Sequence, residues 1–169
     1  MKLGILSDTH GDRVRTGKAL RELLPRGVGA ICHCGDIGSE SVLTELGSTC
    51  QPLSIPVHAV LGNVDHFEPE ISGYPAGAGV QVWGRVADLE LQGKRITVIH
   101  GDDDRLLLKA LRSQSYDYLL TGHTHQVTDR REGRTRLINP GAVHRARPPT
   151  VAVLDLGTDE LEIIPLAPF

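Results

Sequence analysis

The chain has 169 residues, 40% of them apolar and 23% charged, with a formal net charge of −3. That length fits one domain, spanning residues 1–169, with a sizeable core, and the mild acidity excludes a global basic field for gathering nucleic acid or an anionic membrane. No apolar run reaches the roughly 18 residues of a membrane span, and residues 1–8 are too short for a signal peptide and lack its cleavage site. The three cysteines, Cys32, Cys34 and Cys50, make no disulfide framework, so the cytoplasm is the expected compartment.

In chain order, residues 3–7 form a short apolar run that reads as a strand. Val14, Leu20, Leu23 and Leu24 fall roughly on one helical face, and Pro25 with Gly27 ends that helix. Residues 28–34 make a second buried strand. Ser39 or Ser41 is placed to cap a helix carrying Val42, Leu43 and Leu46, and residues 57–61 make a third strand. This β-α-β-α-β order predicts a parallel sheet with helices on its faces.

Residues 67–85 are rich in Gly and Pro and read as loop. Residues 86–91 and 95–100 flank a hairpin turn. Residues 103–113 predict a helix with Asp at its start and Leu106, Leu107 and Leu111 facing inward. A strand at 118–121 follows, then hairpins over 126–138 and 151–165. The expected fold is α/β, with two packed mixed sheets and helices outside.

Five polar clusters sit at the C-terminal ends of predicted strands: Asp8-Thr9-His10, Gly35-Asp36, Gly62-Asn63, His100-Gly101 and Gly122-His123-Thr124-His125. Ligand sites in open α/β sheets form at those strand ends, so the clusters are expected to share one pocket. Carboxylate and imidazole donors suit divalent Mn, Fe, Zn or Ni. Each cluster alone has an ordinary reading as a turn, a cap or a surface histidine. Their conjunction, in this order, points to a metal site. The Cys32-x-Cys34 pair reads as same-face core packing on a strand rather than as a metal ligand pair.

Asp-x-His, Gly-Asp, Gly-Asn, a strand-ending His and Gly-His-x-His, followed by Asn139-Pro140-Gly141, resemble the calcineurin-like metallophosphoesterases, and among them the small, single-domain YfcE-type phosphodiesterases. The resemblance implies a four-layer α/β/β/α sandwich. It also implies two divalent metal ions, with manganese the expected metal, and a small phosphoester substrate. Asp8, His10 and His125 would hold one ion, Asn63, His100 and His123 the other, and Asp36 would bridge them. The resemblance implies hydrolysis of a phosphodiester by a hydroxide between the metals. Asp36 and Asn63 thus stand in the catalytic machinery.

The sequence departs from the family at Val64, where many relatives carry a His after Gly-Asn. Asp65 and His66 are the nearby residues that could act there. Asp102 follows His100 where relatives often have His. Arg145 and Arg147 are candidate substrate-phosphate contacts. Arg130, Arg131, Arg134 and Arg136 read as a solvated hairpin rather than a nucleic-acid surface.

Three further readings stand beside a phosphodiesterase. A phosphomonoesterase or nucleotide phosphatase needs the same ligands. A non-catalytic scaffold, as in the retromer subunit of this fold, would not require the full ligand set found here. A cysteine-based zinc or redox site disagrees with the oxygen and nitrogen donors. Trp83 or an exposed sheet edge could support a homodimer.

Overall fold

The fold is seen in a computed structural model that describes residues 1–75 and 77–167. Residues 76, 168 and 169, which belong to the expected domain 1–169, lie outside the described residues. The strands are β1 (Lys2–Leu6), β2 (Val28–His33), β3 (Val57–Ala59), β4 (Val80–Val82), β5 (Val86–Leu91), β6 (Lys94–Ile99), β7 (Tyr118–Leu120), β8 (Val127–Glu132), β9 (Thr135–Pro140), β10 (Thr150–Asp155) and β11 (Leu161–Pro165). The helices are α1 (Arg13–Leu23), α2 (Glu40–Cys50), α3 (Pro69–Ser72) and α4 (Asp104–Ser113).

One sheet has the order β11-β10-β1-β2-β3-β4 and the other the order β5-β6-β7-β9-β8. Strands β1 to β4 run parallel to one another, as do β6, β7 and β9, while β10 and β11 in one sheet and β5 and β8 in the other pair antiparallel. Side-chain alternation along the strands builds the layers. Leu3, Ile5, Ala30 and Cys32 meet Ile96, Val98, Leu120 and Ile138 between the sheets. Leu6 and Ile31 point the other way, against Leu20 and Leu23 of α1 and Leu43 and Leu46 of α2. Ala110 and Leu111 of α4 cover Ile99, Leu119 and Leu137 on the far face. The result is the expected α/β/β/α sandwich of two mixed sheets. Burying one such Leu or Ile contributes about 2 kcal/mol. Cys32 and Cys34 are fully buried in the core, as their spacing implied.

Asp12 caps α1 by accepting from the Arg15 N–H at 2.9 Å, and Asp103 caps α4 by accepting from the Arg105 and Leu106 N–H groups. Three local expectations need correction. Residues 67–85 are not all loop: they hold α3 and β4, which extends the first sheet beyond β3. Three residues are too few to show a period. The strand forms because Gly79, with φ of +86°, brings the chain against Gly47 of α2. Val14 does not face the core but is 66% exposed; six residues before Leu20, it lies about 120° round the helix from it. Ser39 occupies the cap position of α2, yet its hydroxyl pairs with Ser41 at 2.7 Å instead of capping.

No helix among the described residues is long and apolar enough to cross a membrane. The arginine-rich hairpin of β8 and β9 is neutralised pair by pair. Arg130 meets Glu132, Arg131 meets Asp159, Arg134 meets Asp117, and Arg136 meets both Asp129 and Asp159.

Candidate metal centre

Parallel pairing within each sheet brings the C-terminal ends of β1, β2 and β3, and of β6 and β7, to one edge of the sandwich. The five polar clusters follow those strands. Asp8, His10, Asp36, His123 and His125 all have positive φ, between +46° and +65°. That conformation costs roughly 1–2 kcal/mol per residue. Five such residues in one place mark a site where the backbone is bent to aim side chains.

The side chains converge. His125 Nε2 is 3.2 Å from Asp8 Oδ1 and 3.3 Å from His10 Nε2. His10 Nε2 is 3.8 Å from Asp36 Oδ2, and His100 Nε2 is 3.2 Å from Asp36 Oδ1. Two compact groups result, Asp8-His10-His125 and Asp8-Asp36-His100, with Asp36 lying between His10 and His100. The His100 and His123 rings meet edge to face with centroids 5.1 Å apart. His123 and Asn63 are exposed at the rim.

Two donor atoms inside the cluster, Asp8 Oδ1 and His100 Nε2, are buried with no hydrogen-bond partner. Buried polar atoms are seldom left so, and a carboxylate oxygen and an imidazole nitrogen are both atoms able to coordinate a metal. The donor set of carboxylate oxygen and imidazole nitrogen therefore fits divalent cations.

Close approach explains the glycines. A β-carbon on Gly35 would fall 2.7 Å from His100 Nδ1. One on Gly62 would collide with Asp36 Oδ1, and one on Gly122 with Ser7 Oγ. Each glycine makes room for a side chain from a neighbouring strand end, a demand beyond turning the chain.

Electrostatics follow burial and pairing. Burial pushes the Asp8 carboxyl up. Burial also pushes Asp36 up, but the His100 imidazole beside it outweighs this and holds it below its ordinary value. His100 moves oppositely: burial lowers it, and the Asp36 carboxylate raises it further. The His100 Nδ1 is 2.8 Å from the Cys34 carbonyl oxygen and donates to it, which leaves Nε2 as the ligand atom.

Other residues hold this geometry. Asp65 is fully buried, accepting from Gly62 N–H at 2.8 Å, Ile37 N–H at 3.1 Å and Gly38 N–H at 2.8 Å. Asp65 thus orients the loops carrying Asp36 and Asn63. Asn139 donates to the Gly122 carbonyl at 2.7 Å and to Thr124 Oγ1 at 3.1 Å, bracing the loop of His123 and His125. Sequence reasoning missed His33. Its Nδ1 accepts from Gly35 N–H at 3.2 Å and its Nε2 donates to Thr9 Oγ1 at 2.9 Å, while Thr9 donates to the Ile37 carbonyl. Its place three residues before Asp36, at the buried end of β2, was the available signal.

Val64 donates its N–H to Asp36 Oδ1 at 3.2 Å. His66 is exposed, 3.3 Å from the Arg85 guanidinium, which also pairs with Asp102 at 3.1 Å. Asp102 is thus neutralised by Arg85. Arg145 and Arg147 are exposed on the loop after β9, and the Arg145 charge reaches His10. His144, also unforeseen, has its ring 6.1 Å from that of His10. Trp83 is 37% exposed and donates its indole N–H to His58 Nδ1.

Comparison with known proteins agrees with the geometry. Residues 1–159 match the calcineurin-like phosphoesterase superfamily domain. A phosphodiesterase of Methanocaldococcus jannaschii is 27% identical, over 98% of this chain and 99% of its own length. A probable metallophosphoesterase of Methanothermobacter thermautotrophicus is 33% identical, over 96% and 90%. The solved structure of an archaeal phosphodiesterase superposes with a TM-score of 0.79 at 25% identity, covering 98% of this chain and all of that one.

Proposed function

This chain belongs to the calcineurin-like phosphoesterase superfamily, in its small single-domain branch, and on that footing we propose that it hydrolyses a phosphodiester using two divalent metal ions. It is a metal-dependent phosphoesterase, a hydrolase acting on ester bonds. The observation that carries the two-metal reading is Asp36, whose two oxygens face His10 on one side and His100 on the other.

Asp8, His10 and His125 would hold one ion, and Asn63, His100 and His123 the second, with Asp36 shared. Divalent ions held there would supply a more acidic water and positive charge to offset that of a phosphate group. The protein's own part is to leave His100 Nε2 free by occupying its Nδ1 with the Cys34 carbonyl, to keep Asp36 ionised, and to fix the candidate ligand loops through Asp65, Asn139 and His33. Arg145 and Arg147, exposed on the loop beside the centre, supply guanidinium groups for anionic oxygens of the substrate. Manganese is the expected metal, and three buried free cysteines fit a reducing, cytoplasmic setting.

The test uses metal-stripped protein, with and without Mn(II), on bis-p-nitrophenyl phosphate and p-nitrophenyl phosphate. Metal-dependent cleavage of the diester, abolished in N63A and H100A, is the expected result. A preference for the monoester would assign the site to phosphomonoesters instead. No turnover of either, with two ions bound per chain, would refute catalysis on such esters.

A further inference from the structure

The loop after β9 stands as a ridge beside the metal centre. Its base is fixed: Val143 donates its N–H to the Ser7 carbonyl at 3.0 Å, and His144 to the Asp8 carbonyl at 3.1 Å. Arg145 and Arg147 line a groove on each side of the ridge. The smaller, of about 440 Å³, is walled by His125 and Thr124 and so opens on the metal ligands. The larger, of about 1110 Å³, is lined by His144, Pro148, Pro165 and Leu166 as well.

The charges around this ridge are unbalanced. Among the described residues, neither Arg145 nor Arg147 forms an ion pair or a side-chain hydrogen bond, whereas Arg13, Arg15, Arg26, Arg85 and the hairpin arginines all have acidic partners. Glu22, which lines the larger groove, is engaged by Arg26 at 3.2 Å. His144 lines the same groove, and its buried Nδ1 has no hydrogen-bond partner. Two unneutralised guanidinium groups therefore line a groove that reaches His125 of the metal centre. In a protein of net charge −3, this is a local excess of positive charge that the scissile phosphate, with two metal ions to neutralise it, does not require.

We propose that the ridge is a second-anion subsite: the substrate is a phosphodiester that carries a further phosphate group, and Arg147, with Arg145, grips that group beside the metal centre. The proposal rests on the phosphodiesterase reading above. Guanidinium forks bind phosphate through paired N–H donors, and the apolar lining that Pro148, Pro149 and Pro165 give the larger groove suits the uncharged part of a substrate lying between or beyond its two anions.

The experiment compares straight-chain alkane bisphosphates of three to six carbons with the matching monophosphates. Binding to metal-loaded protein is measured by calorimetry, and inhibition of bis-p-nitrophenyl phosphate hydrolysis in parallel. At the fitting length the bisphosphate should bind roughly tenfold more tightly, the worth of one charge-assisted contact. R147A and the R145A/R147A double variant should erase that advantage. R130A, which removes one positive charge from the remote hairpin, should keep it. Equal binding of both series at every length, or an advantage that survives the double variant, overturns the subsite. Failure of the wild type to hydrolyse the diester would instead sink the phosphodiesterase reading, and the calorimetry would still decide the subsite.

Discussion

The Nε2 atoms of His10 and His125, contributed by opposite sheets, stand 3.3 Å apart. Only one of the two can be the donor in a direct bond, and Asp8 Oδ1 beside them has no hydrogen-bond partner. A single cation would satisfy all three atoms. Loading with Mn(II) should therefore raise the thermal midpoint, by about 2.7 kcal/mol of stabilisation at a hundredfold excess over Kd. Calorimetric scans with added Mn(II) and with chelator check this; an unchanged midpoint would refute it.

Gly62→Ala places a β-carbon onto Asp36 Oδ1. Asp36 must then swing away from the position between His10 and His100. The variant should retain no more than one ion per chain by elemental analysis and lose diesterase activity, at a stability cost of about 1–3 kcal/mol for the overpacking.

Asp65→Ala leaves three backbone N–H groups, of Gly62, Ile37 and Gly38, without their acceptor. Each buried orphan costs about 1–3 kcal/mol. Urea denaturation should show a loss of several kcal/mol in total, and metal affinity should fall because the loops of Asp36 and Asn63 are released. Asp65→Asn, which keeps one acceptor oxygen, should lose less of both.

His33 is fully buried, and burial holds its imidazole down at about 3, against an ordinary 6.5. Between these values the unfolded chain binds a proton that the folded chain does not, so stability rises with pH across that window. Acidification from pH 6.5 towards 3 should thus remove stability, on the order of 4 kcal/mol from this group alone. The variant His33→Gln should be less stable at pH 7 yet lose less on acidification, as denaturant titrations at both pH values would show.

Val64→His restores the side chain many relatives carry after Gly-Asn. Esters with poor leaving groups should gain more in kcat than the p-nitrophenyl esters. Equal gains for both, in side-by-side kinetics, would show that this position does not assist departure.

Most of this centre was legible in the sequence, because its ligands follow short apolar strands and parallel strands share one edge. Asp8, His10, Asp36, His100 and His125 could be named from strand ends alone. What escaped were long-range supports. His33 reads as one more residue of a buried strand until Thr9 and Gly35 are seen against its two nitrogens. Strand β4 escaped because its three residues carry no period and depend on Gly47 and Gly79 meeting across 32 positions of chain. Val14 misled because an apolar residue in the first turn of a helix looks like part of the stripe from which it is rotated.

The ligand loops belong to two different sheets: Asp8, His10, Asp36 and Asn63 follow strands of one, and His100, His123 and His125 follow strands of the other. The core between those sheets is apolar, and the hydrophobic effect that holds it is non-directional. Ions clamped at the edge would act as rivets through both leaves, fixing their alignment to the tolerance of a coordination bond. Neither half-sandwich carries all the candidate donors, so capture of a metal there would become a proofreading step that rewards only the correctly assembled pair.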